Sequence, residues 1–205
     1  MQNEPIGAVV FDMGGVLVEL GPLTEILGDD PLPVDEFWAR WLQSPTVRAF
    51  EMGQCDVATF GDRLVAELGL SFGGAELVDR FAQWPKGLFD GAVAMMDELR
   101  GSEQAPIVAV LSNTNELHWR EQVDSGRIPD LFDRHYLSYR LGLAKPDADI
   151  FEHVIADLNM PAERIMFLDD NQPNVDTARR LGIDAHLTRG VTEAREALIE
   201  RGLLA

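Results

Sequence analysis

Polar clusters stand where short apolar runs give out. Asp12 follows Ala8-Val9-Val10-Phe11 and runs into Met13-Gly14-Gly15. Ser112-Asn113-Thr114-Asn115 follows residues 107–111, Lys145 lies in Leu143-Ala144-Lys145-Pro146-Asp147, and Asp169-Asp170-Asn171 follows residues 165–168. A carboxylate at the end of a buried strand is costly unless something compensates it, and glycines beside it let backbone approach a ligand closely. The residue types are complementary. Asp12 and Asp170 are hard oxygen donors of the kind that hold Mg²⁺, which takes one or two carboxylates with water and phosphate oxygens. Lys145 is a point charge for a phosphoryl oxygen or a nucleophilic carboxylate. The Ser112 hydroxyl and the Asn113 backbone N–H can donate to the same oxygens. A phosphate dianion with Asp12 and Asp170 would repel itself from such a site; Mg²⁺ and Lys145 together return nearly all of that charge.

These clusters can meet only on a suitable scaffold. Residues 6–11, 107–111, 165–168 and 184–187 read as buried strands, with a weaker fifth at 136–138. Ile150, Phe151, Val154, Ile155 and Leu158 share one face of a helix that stops near Asn159, before Pro161. A second helix begins at 171–173 and ends at Gly182, and a third runs over 192–201 with Gly202 as its stop. Strands alternating with helices predict an α/β fold, a Rossmann-like parallel sheet flanked by helices on both faces. In such sheets ligands bind beyond the carboxyl ends of the strands. The stretch 21–85 breaks the rhythm. Residues 34–42, 46–52, 57–68 and 74–84 look helical, Gly53 and Gly69 act as stops, and no convincing strand is visible. It is too long and too helical for a loop. The expected organisation is a core of residues 1–20 and 86–205 with a helical cap, 21–85, inserted after Asp12.

The chain has 205 residues, which suits one domain with an insertion or two small ones. Acids outnumber bases 35 to 17, for a net charge of -18. Nucleic acid and anionic membranes recruit clustered Lys and Arg, so neither is an expected partner; a small phosphorylated metabolite is. The single cysteine, Cys55, excludes an intrachain disulfide and fits a cytoplasmic location. It has no chemical neighbour in sequence and reads as incidental. Met1-Gln2-Asn3-Glu4-Pro5 carries no basic run of a secretory leader, and no apolar run approaches membrane-spanning length. Oligomeric state stays open.

The motifs, in this order and spacing, resemble those of the haloacid dehalogenase-like (HAD) phosphohydrolases over residues 6–187. Asp12-Met13-Gly14-Gly15-Val16-Leu17 is similar to their first motif, Ser112-Asn113-Thr114 to the second, Lys145-Pro146 to the third and Phe167-Leu168-Asp169-Asp170 to the fourth. Leu111-Ser112-Asn113-Thr114-Asn115 with Lys145-Pro146-Asp147 and Asp169-Asp170-Asn171 further resembles a bacterial branch. That branch includes α-glucose-1-phosphate phosphatase and relatives of the N-terminal domain of soluble epoxide hydrolase. The resemblance implies that Asp12 is a nucleophile forming an aspartyl-phosphate, with Lys145 also catalytic. It implies that Asp12, Asp170 and the Gly14 backbone carbonyl hold Mg²⁺. Ser112, Asn113, Thr114 and Lys145 would bind the phosphoryl group, Asp169 would orient Lys145 or a metal-bound water, and Asn174 would act through water.

One position departs from that pattern. Most phosphatases of the family carry a second Asp two residues after the nucleophile, as general acid and base, and here that position is Gly14. Such help is typically worth ~10²–10⁴-fold. An anomeric sugar phosphate needs little protonation of its leaving group, which makes hexose 1-phosphates the expected better substrates over 6-phosphates. Alternatively a cap residue or water supplies the proton, or the protein is slow or inactive. The leading reading is a Mg²⁺-dependent phosphatase of a sugar phosphate. The alternatives are a metal-independent 2-haloacid dehalogenase, against which the paired Asp169 and Asp170 speak, and a catalytically weak binding or regulatory protein on the same fold. His118, His135, His153 and His186 are too scattered for a histidine metal site; His118 is the one placed to face the cap near the site, and His153 reads as surface. Phe37, Trp38, Trp41, Phe50 and Trp84 read as cap core, with one or two at a substrate entrance.

Overall fold

The computed structural model describes residues 5–30, 32–124 and 128–205; Met1 to Glu4, in the segment read above as lacking a leader, lie outside them. The strands are β1 Ala8–Phe11, β2 Val18–Leu20, β3 Pro85–Leu88, β4 Ile107–Ser112, β5 Arg134–Leu137, β6 Ile165–Asp169 and β7 Asp184–Leu187. The helices are α1 Thr24–Leu27, α2 Val34–Gln43, α3 Pro45–Glu51, α4 Val57–Leu68, α5 Gly74–Ala82, α6 Ala92–Gly101, α7 Glu116–Asp124, α8 Ser138–Leu141, α9 Ala148–Leu158, α10 Gln172–Arg180 and α11 Gly190–Glu200.

Five strands form a sheet in the order β5-β4-β1-β6-β7, and every pairing in it is parallel. β1 is central because all four of its residues are apolar and buried, as a strand covered on both faces must be. Successive side chains alternate between faces. Val9 and Phe11 join a core with α6 and α11, and Ala8 and Val10 join a second core with α9 and α10. The sheet register positions the chemistry. Phe11 is level with Val110 on one side and Leu168 on the other. Asp12 therefore leaves the sheet beside Leu111 and Asp169, with Ser112 one step further along.

Two expectations need correction. The fifth strand is Arg134–Leu137 rather than 136–138, and Ser138 already begins α8. β5 is an edge strand whose first two residues are exposed, so the apolar signal starts two residues late. The stretch 21–85 is also not free of strand, since β3 begins at Pro85 and pairs antiparallel with β2. Such short strands, one containing a proline and a glycine, carry no sequence signal.

Between β2 and β3 the helices close on their own core, in which Phe37, Phe50, Phe60, Leu64 and Leu77 are buried. Phe50 stacks on Phe60 with ring centroids 4.1 Å apart. Local signals set these helices. The Ser44 hydroxyl accepts the Val47 N–H ahead of Pro45 at the first turn of α3, and the Asp56 carboxylate accepts the Thr59 N–H at the start of α4, as N-caps do.

The inserted helices meet the sheet layer at specific points. Gly53, just after α3, has φ +69°, and a Cβ there would lie 2.4 Å from the Tyr139 carbonyl oxygen in α8. Only glycine permits that approach. Arg48 of α3 pairs with Asp147, which precedes α9. On the other flank, His118 of α7 donates from Nε2 to the Phe81 carbonyl of α5 at 2.7 Å, while its Nδ1 faces the Asn115 side-chain amide at 3.4 Å. These partners fit the neutral ring with its proton on Nε2, and burial pushes the His118 pKa down to about 4.

The sign of the resulting pH dependence is fixed. The unfolded chain protonates this imidazole below its ordinary value of 6.5, the native chain only below about 4. In between, the unfolded state binds more protons, so the stability contributed by neutral His118 is lost as pH falls through that window. Urea unfolding at pH 7 and pH 4.5 is expected to show wild type losing roughly 2–3 kcal/mol more than His118→Gln. Equal losses in the two proteins would contradict this linkage.

Candidate functional site

The strand ends bring the polar clusters together around Lys145. Its ammonium lies 2.8 Å from Asp12 Oδ1 and 2.6 Å from Asp169 Oδ2, and its side chain is 1% exposed. Burial alone would lower the Lys145 pKa, but the Asp12 and Asp169 carboxylates outweigh it and hold the ammonium above its ordinary value. Burial pushes the Asp12 carboxyl up to about 7, with Asp169 and Asp170 adding to the rise against the pull of Lys145.

The groups behind this triad are saturated with hydrogen bonds. Asp169, the last residue of β6 and fully buried, accepts from Lys145, from both contacts of the Asn174 amide at 2.9 and 3.0 Å, and from the Asn171 N–H. Asn174 thus holds Asp169 directly. The Asn113 side chain clamps the Lys145 backbone, accepting its N–H and donating to its carbonyl, both at 2.9 Å. Thr114 is buried, and its backbone N–H and carbonyl are both bonded to the Ser138 hydroxyl.

A divalent cation fits this arrangement. Oxygens of Asp12, Asp169 and Asp170 lie within 4.8 Å of one another, and Lys145 is the only cation paired with them among the described residues. Three carboxylates against one ammonium leave two negative charges in a buried place, which is costly without a compensating cation. Asp169 is already occupied, so Asp12 and Asp170 have the free oxygen positions. The Asp170 carboxyl is raised by burial and by its neighbour Asp169, the response of a group waiting for positive charge. Gly15 is required by contact with it: at φ +75° its Cβ would sit 2.4 Å from Asp170 Oδ2. Gly14 is different, because a Cβ there would meet only Leu20 at 3.4 Å, an ordinary contact.

A cavity of about 630 Å³ opens above the triad, walled by Asp12, Gly14, Ser112, Asn113, Lys145, Asp170 and Asn174 from the sheet side. Trp38, Trp41, Gln43, Arg48, Glu51 and Trp84 wall it from the inserted helices. Thr114 and His118 instead line a smaller adjoining cavity of about 100 Å³, together with Gly14, Ser112 and Glu51. Asp12, Gly14, Ser112, Asn113, Lys145, Asp170 and Asn174 are therefore brought to one cavity, Asp169 supports it from beneath, and Thr114 sits aside. Arg48 and Glu51 were not anticipated. They belong to an ordinary amphipathic helix with no motif around it, so the sequence carries no signal that could have marked them.

The model of the haloacid dehalogenase-like hydrolases matches residues 6–182, and the chain belongs to that family. It is 26% identical over 204 residues to D-ribitol-5-phosphate phosphatase of Bacteroides thetaiotaomicron, covering 93% of this chain and 95% of that one. It is 28% identical over 192 residues to a sesquiterpene phosphatase of Aspergillus oryzae, covering 92% and 93%. Among solved structures, a HAD family enzyme of Bacteroides thetaiotaomicron in complex with magnesium and inorganic phosphate superposes with a TM-score of 0.72 at 24% identity, covering 90% and 94%.

Gly15→Ala tests the carboxylate geometry. The new methyl must displace Asp170, so Mg²⁺ affinity measured by calorimetry is expected to fall at least tenfold while the circular dichroism spectrum stays native; unchanged affinity would show that Asp170 is not part of a cation site.

Proposed function

We propose that this protein is a Mg²⁺-dependent phosphatase of a small phosphorylated metabolite, a sugar phosphate, with Asp12 as the nucleophile. The observation that carries the reading is the Asp12 carboxylate held against the Lys145 ammonium on a cavity wall, with Asp170 beside it and an excess of negative charge that a divalent cation would neutralise. Relatives matched over nearly the whole chain are named as phosphatases, and a structural relative holds magnesium with phosphate; both support it.

Asp12 attacks phosphorus and forms the aspartyl-phosphate, which water then hydrolyses. Lys145 keeps Asp12 oriented and screens its charge from the arriving anion, and Asn113 and Asp169 fix Lys145. The Ser112 hydroxyl and the Asn113 backbone N–H donate to the phosphoryl oxygens, where preorganised donors count most. Asp12, Asp170 and the Gly14 carbonyl would hold Mg²⁺, which would supply Lewis-acid stabilisation of the phosphoryl charge.

Residues 21–85 act as a cap over a core of 1–20 and 86–205 and select the leaving group. The cavity has the size of a small-molecule site. Trp38 lines the cavity beside Gln43 and Asn171, whose side-chain amides offer hydrogen bonds for hydroxyls. The branch likeness of the motifs favours the same substrate class.

The test is phosphate release across sugar, polyol and isoprenoid monophosphates, with wild type beside Asp12→Asn and with Mg²⁺ or excess chelator. Wild type is expected to release phosphate only with Mg²⁺, sugar phosphates ranking first, and Asp12→Asn to lose on the order of 10³-fold or more in kcat/KM. Release that survives the chelator or the substitution would overturn the mechanism, and isoprenoid phosphates ranking first would overturn the substrate class.

A further inference from the structure

The phosphatase reading leaves one role empty. A leaving alkoxide needs a proton and the attacking water must lose one, yet the position two residues after Asp12 is a glycine. Glu51, the last residue of α3, is the acid the fold presents to that vacancy. It lines the cavity above the triad and the smaller one behind it, and Gly14 and Ser112 line both as well. Glu51 is half-buried, and its carboxyl has no hydrogen-bond partner among the described residues. Arg48, one turn earlier on the same helix, pairs with Asp147.

Resting on the phosphatase reading above, the geometry points to Glu51 as the group that protonates the leaving oxygen and then deprotonates water. In the first step Asp12 forms its bond to phosphorus, the bond from phosphorus to the leaving oxygen breaks, and the Glu51 carboxylic acid gives its proton to that oxygen, releasing the alcohol. In the second step the Glu51 carboxylate takes a proton from water as the water oxygen bonds to phosphorus. The acyl-phosphate bond breaks, phosphate leaves, and Asp12 and Glu51 return to their starting forms.

The surroundings suit that cycle. Burial pushes the Glu51 carboxyl up to about 7, against the pulls of Lys145 and Arg48. The other charged or titratable groups on these walls are Asp12, Asp170 and, in the smaller cavity, His118, which is neutral and engaged with Phe81. Both protonation states of Glu51 are therefore populated near neutral pH, which is where a group that both gives and takes a proton works best. With Glu51 as the source, the leaving group need not be anomeric, so the reason for expecting hexose 1-phosphates ahead of 6-phosphates falls away.

The experiment compares wild type with Glu51→Gln on glucose 6-phosphate and other alkyl phosphates, which leave as alkoxides, and on 4-nitrophenyl phosphate, whose leaving group needs no proton. Rapid mixing with Mg²⁺ follows nitrophenolate. Glu51→Gln is expected to lose ~10²–10⁴-fold in kcat on alkyl phosphates, yet to keep a nitrophenolate burst of about one equivalent per enzyme followed by slow turnover, because only the hydrolytic step still needs the base. The wild-type alkyl phosphate rate is expected to fall on the alkaline side of a pH profile, and the variant to lack that limb. Unchanged alkyl phosphate turnover, or loss of the burst together with turnover, would overturn the assignment of Glu51, as would a wild-type enzyme active on 4-nitrophenyl phosphate and on no alkyl phosphate. Wild type inactive on every phosphate would overturn the phosphatase reading itself.

Discussion

The Lys145 ammonium between Asp12 and Asp169 is the interaction on which the rest depends. All three side chains are withdrawn from water, and breaking such a group by removing one partner typically costs about 3–5 kcal/mol because an uncompensated charge stays buried. The surrounding polar residues make sense as supports for it. Asn113 fixes the Lys145 backbone, Asn174 and the Asn171 N–H fill the remaining positions of Asp169, and Ser138 ties down the loop at Thr114. With Asp169 fully engaged, the charge left over resides on Asp12 and Asp170, on the side that faces the cavity.

The inserted helices are tied to this centre at a few specific points. Their hydrophobic cluster is separate from the two that cover the sheet. Among the contacts that join the layers are the approach of Gly53 to Tyr139, the pair of Arg48 with Asp147, the bond and ring contact between His118 and Phe81, and Leu117 of α7 packed against the inserted cluster. Two of these lie on or just after α3, the helix that carries Glu51 to the cavity wall. Asp147 lies two residues beyond Lys145, so the contact that anchors α3 is itself anchored beside the Lys145 ammonium. The position of the cavity wall and of the triad are thus set by one short segment.

Legibility followed physical cost. The central strands could be read because residues buried on both faces must be apolar, and the strand-end carboxylates stood out because an acid there is costly unless something compensates it. β5 was misplaced because an edge strand tolerates Arg134 and His135, and the β2/β3 ribbon went unseen because Pro85 and Gly87 carry no strand preference. The expectation for Asn113 concerns its backbone N–H; the structure adds that its side-chain amide clamps the Lys145 backbone, a contact between segments 32 residues apart that no local pattern encodes. Asn174 binds Asp169 through its side-chain amide, a contact across one turn of chain that residue type alone does not announce.

The sequence by itself determined the parallel α/β core, the helical nature of most of 21–85, and which acids, lysine and serine end the strands. Local backbone preference and burial dictate those features, and both are written in neighbouring residues. Only the tertiary structure decided which carboxylate is saturated and which is free, that Gly15 is fixed by Asp170 while Gly14 has room, and that Glu51 shares a wall with Asp12. Those facts are distances between segments far apart in the chain, set by strand register and by how one helical layer packs on another, and no local pattern encodes them.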